Sequence, residues 1–198
     1  MLADDYEGKV FVVNNQRISV TQRQSALDAK ELAEAGFNGE QIFEILERVK
    51  MESSIYITVD TLKFLKKGGR ITPAAAALGT LLRIKPVLQI QGEKLDSFSK
   101  VRTMKQARTT MLAAAGKDLK DRFADPEAEN TWMLVAHTQN DEMAAEFAKE
   151  IEEHYPKAGA VYRAPLSLSI ACHIGPGSLA VAMSKKIDIE AEWKRYGL

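Results

Sequence analysis

An α/β fold is predicted for this 198-residue chain by three observations. Short β-branched and aromatic runs alternate with helical stretches from end to end. Two of the helical stretches open on capping boxes, Asn38 with Gln41 and Thr103 with Gln106. No internal repeat and no low-complexity linker breaks the alternation.

Taken in order, residues 9–13 (KVFVV) predict a short buried strand, stopped by Asn14-Asn15 because Asn favours turns. A helix is expected over residues 21–35, with Ala26, Ala29, Leu32 and Ala33 as its apolar face and Gly36 as a left-handed cap. The next helix starts from the Asn38 cap and carries Ile42, Ile45, Leu46 and Val49 at helical spacing. Residues 54–59 (SIYITV) predict a strand. Asp60 is then placed to cap a short helix with Leu62 and Leu65, ended by Gly68-Gly69. Thr72-Pro73 restarts a helix that must stop before Pro86. Residues 86–91 and 94–101 predict two strands joined by a turn at Gly92-Glu93. Met104, Ala107, Met111, Ala114 and Leu119 form the stripe of a long helix. Residues 132–137 predict a strand, residues 141–155 a helix ended by Pro156, and residues 161–164 and 168–172 further strands. Residues 173–177 (HIGPG) form a turn or loop, residues 179–183 a short strand or helix, and Ile189 and Trp193 mark a helical tail.

Composition excludes several classes of function. With 45% hydrophobic residues there is enough apolar surface to offset the entropy of ordering, so disorder is excluded. The 27 basic residues equal the 27 acidic ones, so no basic excess exists to neutralise nucleic-acid phosphates. Cys172 has no partner for a disulfide. The N-terminal decapeptide does not read as a signal peptide, and no apolar run is long enough for stable membrane insertion. A free thiol without an export signal fits a cytoplasmic location.

Familiar catalytic strings are missing. There is no P-loop, no Gly-x-Gly-x-x-Gly after a strand and no Gly-x-Ser-x-Gly elbow. His137, His154 and His173 are far apart in sequence, without metal-like spacing. Cys172 and His173, adjacent on an expected strand, point to opposite faces, which makes Cys172 a buried structural thiol rather than a nucleophile.

Three segments carry candidate chemistry, each against a plainer alternative. In residues 65–71 (LKKGGRI) the paired glycines, including Gly69, allow close backbone approach, and Arg70 offers a planar fork to a carboxylate or phosphate. The alternative is a helix C-cap and a solvated basic face. In HIGPG, the Gly175-Pro176-Gly177 turn would aim His173 into a cleft as a hydrogen-bond donor; the alternative is a His bonded to a nearby carbonyl. Arg102, beside a helix cap where the dipole disfavours a cation, suggests an external anionic partner; the alternative is a solvated surface Arg. Apolar segments between these sites could line a slot for a hydrocarbon chain or serve as ordinary core.

The stretch ITVDTLKFLKKGGRITPAAAALGTLLRIKPVLQIQGEKL, then KVRTMKQA, then HIGPGSLA, resembles the DegV family over essentially the whole chain. The resemblance implies a two-domain α/β architecture and a fatty-acid-binding protein, the acyl-carrying partner of a bacterial fatty acid kinase. That division of labour implies a long-chain fatty acid as ligand, no further cofactor, and ATP chemistry on the separate kinase subunit. It places Arg70 and His173, with Gly69, Gly175 and Gly177, at the lipid head group, and Arg102 at the kinase-docking surface. The family's N-terminal portion, with a Thr-Ser-rich and a Ser-Gly-Thr segment whose hydroxyls bind the carboxylate, has no counterpart here, and Asn14-Asn15 stand for the usual Asp-Ser. The expectation is therefore a truncated first domain over residues 1–60 and a second domain over residues 61–198. Fatty-acid binding would then be impaired unless another chain, as in a homo-oligomer, supplies the missing strands. An enzyme acting on a small anionic substrate and a ligand-free interaction module are the alternative functions.

Overall fold

The computed structural model describes residues 2–6, 8–73, 84–92 and 95–198. Its centre is a six-stranded sheet of order β3-β2-β1-β6-β4-β5. The strands are β1 (Ser53–Thr58), β2 (Lys85–Ile90), β3 (Leu95–Val101), β4 (Thr131–His137), β5 (Tyr162–Pro165) and β6 (Leu179–Lys185). β1, β2 and β3 form an antiparallel meander, and β6 inserts antiparallel between β1 and β4. β4 and β5 pair in parallel. The expected division after residue 60 falls directly behind β1, which is hydrogen-bonded to β2 on one side and β6 on the other.

Alternation along the strands divides the core in two. On one face Val181 and Met183 of β6 join Tyr56, Val87 and Val135 beneath α4 (Met104–Asp121) and α5 (Asp141–His154). On the other, Ala180 and Ala182 join Ile55, Ile57 and Leu88. This second face is covered by α1 (Ser19–Glu34), α3 (Lys63–Lys67) and α6 (Leu168–Ile174) through Val20, Leu65 and Ile174. A third cluster lies between α1 and α2 (Gly39–Arg48), built on Leu32, Phe37, Ile45 and Leu46. It is closed by α7 (Ile189–Tyr196), whose Trp193 donates to Ala35 O at 3.0 Å.

Both predicted capping boxes form: Asn38 and Thr103 accept from the amides of Gln41 and Gln106. The stripe predicted for α4 is buried from Ala107 to Leu119. The tail is helical, and residues 179–183 belong to a strand.

Five local expectations are corrected. Residues 9–13 form no strand; Val10, Phe11 and Val12 are exposed, and Phe11 lies against the Phe43 ring instead of a neighbouring strand. The buried face of α1 is Val20, Thr21, Gln24, Ser25, Asp28 and Leu32; of the predicted face only Leu32 is buried, because buried polar side chains pair with one another behind the helix. Asp60 does not cap α3 but pairs with Lys85. Residues 168–172 are helical, in contact with α3 rather than with a strand. Cys172 is therefore an exposed thiol on a helix, donating to Ser169 O, and not a buried one. The helix expected after Thr72-Pro73 falls on residues 74–83, outside the described residues.

Candidate functional site

The site begins at the end of α3. Leu65 is fully buried and anchors the helix, which ends at Gly68. Gly69 then takes φ +62°, a conformation that favours glycine, and turns the chain so that Arg70 leaves the helix axis. Ile71 next bridges to Leu95 at the start of β3, fixing Arg70 at the edge of the sheet.

The second half comes from α6. His173 sits in its last turn, not in a following loop. Its imidazole lies directly over Gly68: a Cβ there would fall under 3.0 Å from His173 Nδ1 and 3.2 Å from Cε1. Arg70 Nη1 donates to the Gly68 carbonyl at 3.3 Å. Two motifs about a hundred residues apart in sequence thus meet on one glycine. Just beyond His173, Gly175 at φ +84° gives room to the Phe64 ring, which a Cβ would overlap. This packs the end of α6 onto α3 and holds the His in place. Gly177 lies against the Asp60 carboxylate, and Gly69 has nothing within 4 Å of its Cβ position. Arg70 and His173 line the adjoining cavity, whereas Gly69, Gly175 and Gly177 shape the turns behind it.

The cavity has a volume of about 620 Å³, within the roughly 300–1,000 Å³ range of small-molecule sites. Its walls are mainly apolar: Ile18, Leu65, Ile90, Leu95, Ile170 and Ile174. Arg70 is exposed, and no carboxylate pairs with it among the described residues. A cation and an imidazole beside an apolar slot can take an anionic head group with a hydrocarbon tail.

Sequence reasoning missed the opposite wall, formed by the segment from Gln16 to Ser19. Gln16 and Ser19 have φ of +51° and +58°, a strained conformation for residues with side chains. Arg17 holds the segment. Its side chain is only 2% exposed and reaches into the protein. Nη1 donates to Ser184 Oγ at 2.6 Å, Nη2 donates to Val49 O at 3.0 Å, and Asp28 lies 3.8 Å away. Burial pushes the Arg17 guanidinium below its ordinary pKa and the Asp28 carboxyl above its own, each opposed by the other's charge. The available signal was polar residues at helical spacing on α1, Gln24 and Asp28, where apolar ones were expected.

Arg102 lies apart from this cavity. It follows the far end of β3, seven residues from Leu95, roughly 20 Å away at about 3.3 Å per residue. It lines a separate, more polar depression with Lys100, Gln106 and Thr109. Among the described residues no cluster of His, Cys, Asp and Glu could hold a metal ion, and no helix is long and apolar enough to cross a membrane.

Fold and site together define a class: an α/β protein with an apolar slot on one sheet face and a cationic rim. Residues 1–186 match the model of the family described as "Uncharacterised protein, DegV family", and the chain belongs to the DegV family. It is 31% identical over 183 residues to a DegV domain-containing protein of Deinococcus radiodurans, covering 92% of this chain and 63% of that one. Among solved structures it is similar to a DegV family protein from Thermus thermophilus described by its fatty-acid binding, with TM-score 0.82 and 30% identity over 92% of this chain and 63% of that one. It is also similar to DegV, a fatty acid binding protein from Bacillus subtilis, with TM-score 0.73 and 29% identity over 87% of this chain and 59% of that one. The chain spans about three fifths of the length of these relatives, between 59% and 63%.

Proposed function

We propose that this chain binds a long-chain fatty acid, with the carboxylate at Arg70 and His173 and the acyl chain along the apolar walls. In this reading it is a carrier rather than a catalyst. It presents the bound acid to a separate ATP-dependent kinase subunit that docks around Arg102. The observation that carries the reading is the meeting of Arg70 and His173 on Gly68 at the edge of an apolar cavity. The fatty-acid-binding relatives from Thermus thermophilus and Bacillus subtilis support it. Each methylene buried adds about 0.8 kcal/mol, so ten contribute about 8 kcal/mol before the costs of binding. The cationic rim then has only to orient the head group.

The reading assigns residues 1–60 to a first domain and residues 61–198 to a second. It also places the protein in the cytoplasm, where Cys172 stays reduced.

Native mass spectrometry of the 198-residue protein, with organic extraction of any adduct, tests the reading. A stoichiometric fatty acid is expected, and the same spectrum reports whether the acid travels with a homo-oligomer. A folded chain that neither carries nor takes up fatty acid would overturn the carrier function. Arg70→Ala should weaken binding more than Arg70→Lys, since both lose the fork but only one loses the charge. Arg102→Glu should impair acyl phosphate formation by the kinase while binding persists; unchanged phosphorylation would remove Arg102 from the docking surface. Turnover of a small anionic substrate, lost in His173→Ala, would replace the carrier with an enzyme.

A further inference from the structure

The cavity beside Arg70 does not end at α1. A second cavity of about 360 Å³ abuts it, and the two share Ser19, Gln22 and Ile170 in their walls. Gln22, an exposed and long side chain, stands at the junction of the two spaces. The second cavity runs to the edge strand β5, where Tyr162 and Ala164 line it together with Arg23. The Arg23 guanidinium carbon stands 3.8 Å above the Tyr162 ring centroid. Stacking of this kind fixes the plane of the guanidinium and leaves its edge free to hydrogen-bond.

Charge pairing sets Arg23 apart. Arg17, Arg48, Arg108, Arg122, Arg163 and Arg195 all lie beside carboxylates. Among the described residues Arg23, Arg70 and Arg102 do not, and Arg102 lines a separate depression beyond the far end of β3. Of these, Arg70 and Arg23 stand at opposite ends of one largely apolar path.

The length of that path follows from the sheet. The first cavity reaches Ile90 on β2 and Leu95 on β3, and the second reaches β5, four and five strands further across the sheet. Strands lie about 4.8 Å apart, so the path is roughly 19–24 Å long. An extended hydrocarbon advances about 1.25 Å per bond, from carbon–carbon bonds of about 1.5 Å meeting at about 111°. The path therefore matches about 15 to 19 carbon–carbon bonds.

We infer that the ligand of this chain is a long-chain acid with a second carboxylate at its far end, held by Arg70 with His173 at one end and by Arg23 on Tyr162 at the other. The inference rests on the acyl-binding reading above and names the subclass of acid. A plain fatty acid would leave its methyl end beside a cation. A dicarboxylate of matching length ends on a guanidinium at each side.

The test is isothermal titration of the full chain with hexadecanedioic acid and with hexadecanoic acid, which have the same number of carbons. The diacid should bind about tenfold tighter, the low end of what a charge-assisted hydrogen bond contributes. Arg23→Gln should erase that ratio, and Arg23→Lys should restore part of it. Equal affinities in the unmodified protein, or a ratio that survives Arg23→Gln, would overturn the second head-group site and leave the fatty-acid reading intact. Binding of neither acid would overturn both.

Discussion

Gly68→Ala is the sharpest probe of the site. Gly68 has φ −82° and ψ −5°, ordinary helical values, so alanine costs nothing in backbone strain. What it adds is one methyl group under 3.0 Å from His173 Nδ1, where ordinary contact begins near 3.4 Å. The imidazole must retreat by about an ångström or rotate away, and overpacking of this kind costs about 1–3 kcal/mol. Because His173 is only half-buried, rotation is the cheaper response, so the cost falls on the site more than on the fold. A hydrogen bond to a charged head group contributes about 1.5–3 kcal/mol, so losing it should weaken fatty-acid binding about 10- to 100-fold. The melting temperature should fall by only a few degrees, at about 2–4 °C per kcal/mol for a chain this size. Gly69→Ala is the control: its φ of +62° is strained for alanine, yet nothing lies within 4 Å of the new methyl. It should destabilise the turn without moving the imidazole. Titration calorimetry with thermal melts reads both quantities. Unchanged affinity in Gly68→Ala, with the His173 ring signals unmoved in a proton–nitrogen NMR spectrum, would refute the packing of His173 on Gly68.

Further outcomes are expected. Arg17→Met leaves Asp28 buried without its cation, which typically costs about 3–5 kcal/mol; Arg17→Met with Asp28→Leu should recover most of it, and urea melts of the two variants decide. His137 is buried on β4, and desolvation holds its pKa below the ordinary value, opposed by Asp141. Between the lowered folded pKa and the unfolded value of about 6.5, the unfolded chain binds more protons. Stability should therefore rise with pH through that window, and acidification back through it removes the gain. His137→Gln should flatten that slope in melts between about pH 5 and 8, and an unchanged slope would assign it to other groups.

Much of the fold was legible because local chemistry and tertiary structure agree. The Asn38 and Thr103 boxes set helix starts, and the Ala107–Met111–Ala114 stripe lies where α4 meets the sheet. Residues 168–172 (LSIAC) misled because Leu168, Ser169 and Ile170 alternate apolar and polar with the period of a strand. Packing against α3 decided for a helix. Residues 9–13 have strand propensity, but propensity does not supply a partner strand. Arg70 and His173 were visible as types in distinctive turns. Their meeting on Gly68 was not, because no local pattern encodes a contact across about a hundred residues. Arg17 stayed hidden for a similar reason: it precedes α1, so its pairing with Asp28 has no helical spacing to reveal it.

The position of β6 has a consequence for how the chain is made. Its residues, Leu179–Lys185, follow β1 to β5 in the chain yet lie between β1 and β4. Until they leave the ribosome, the β1–β2–β3 meander and the β4–β5 pair are separate halves, each with an open central edge. The pairs that join them, Ser53 with Ser184 and Thr131 with Lys185, span long stretches of sequence, and closing such loops is slow. Completion of the sheet therefore waits for β6, and a nascent chain stalled before residue 179 would expose two sticky edges to chaperones or to its neighbours.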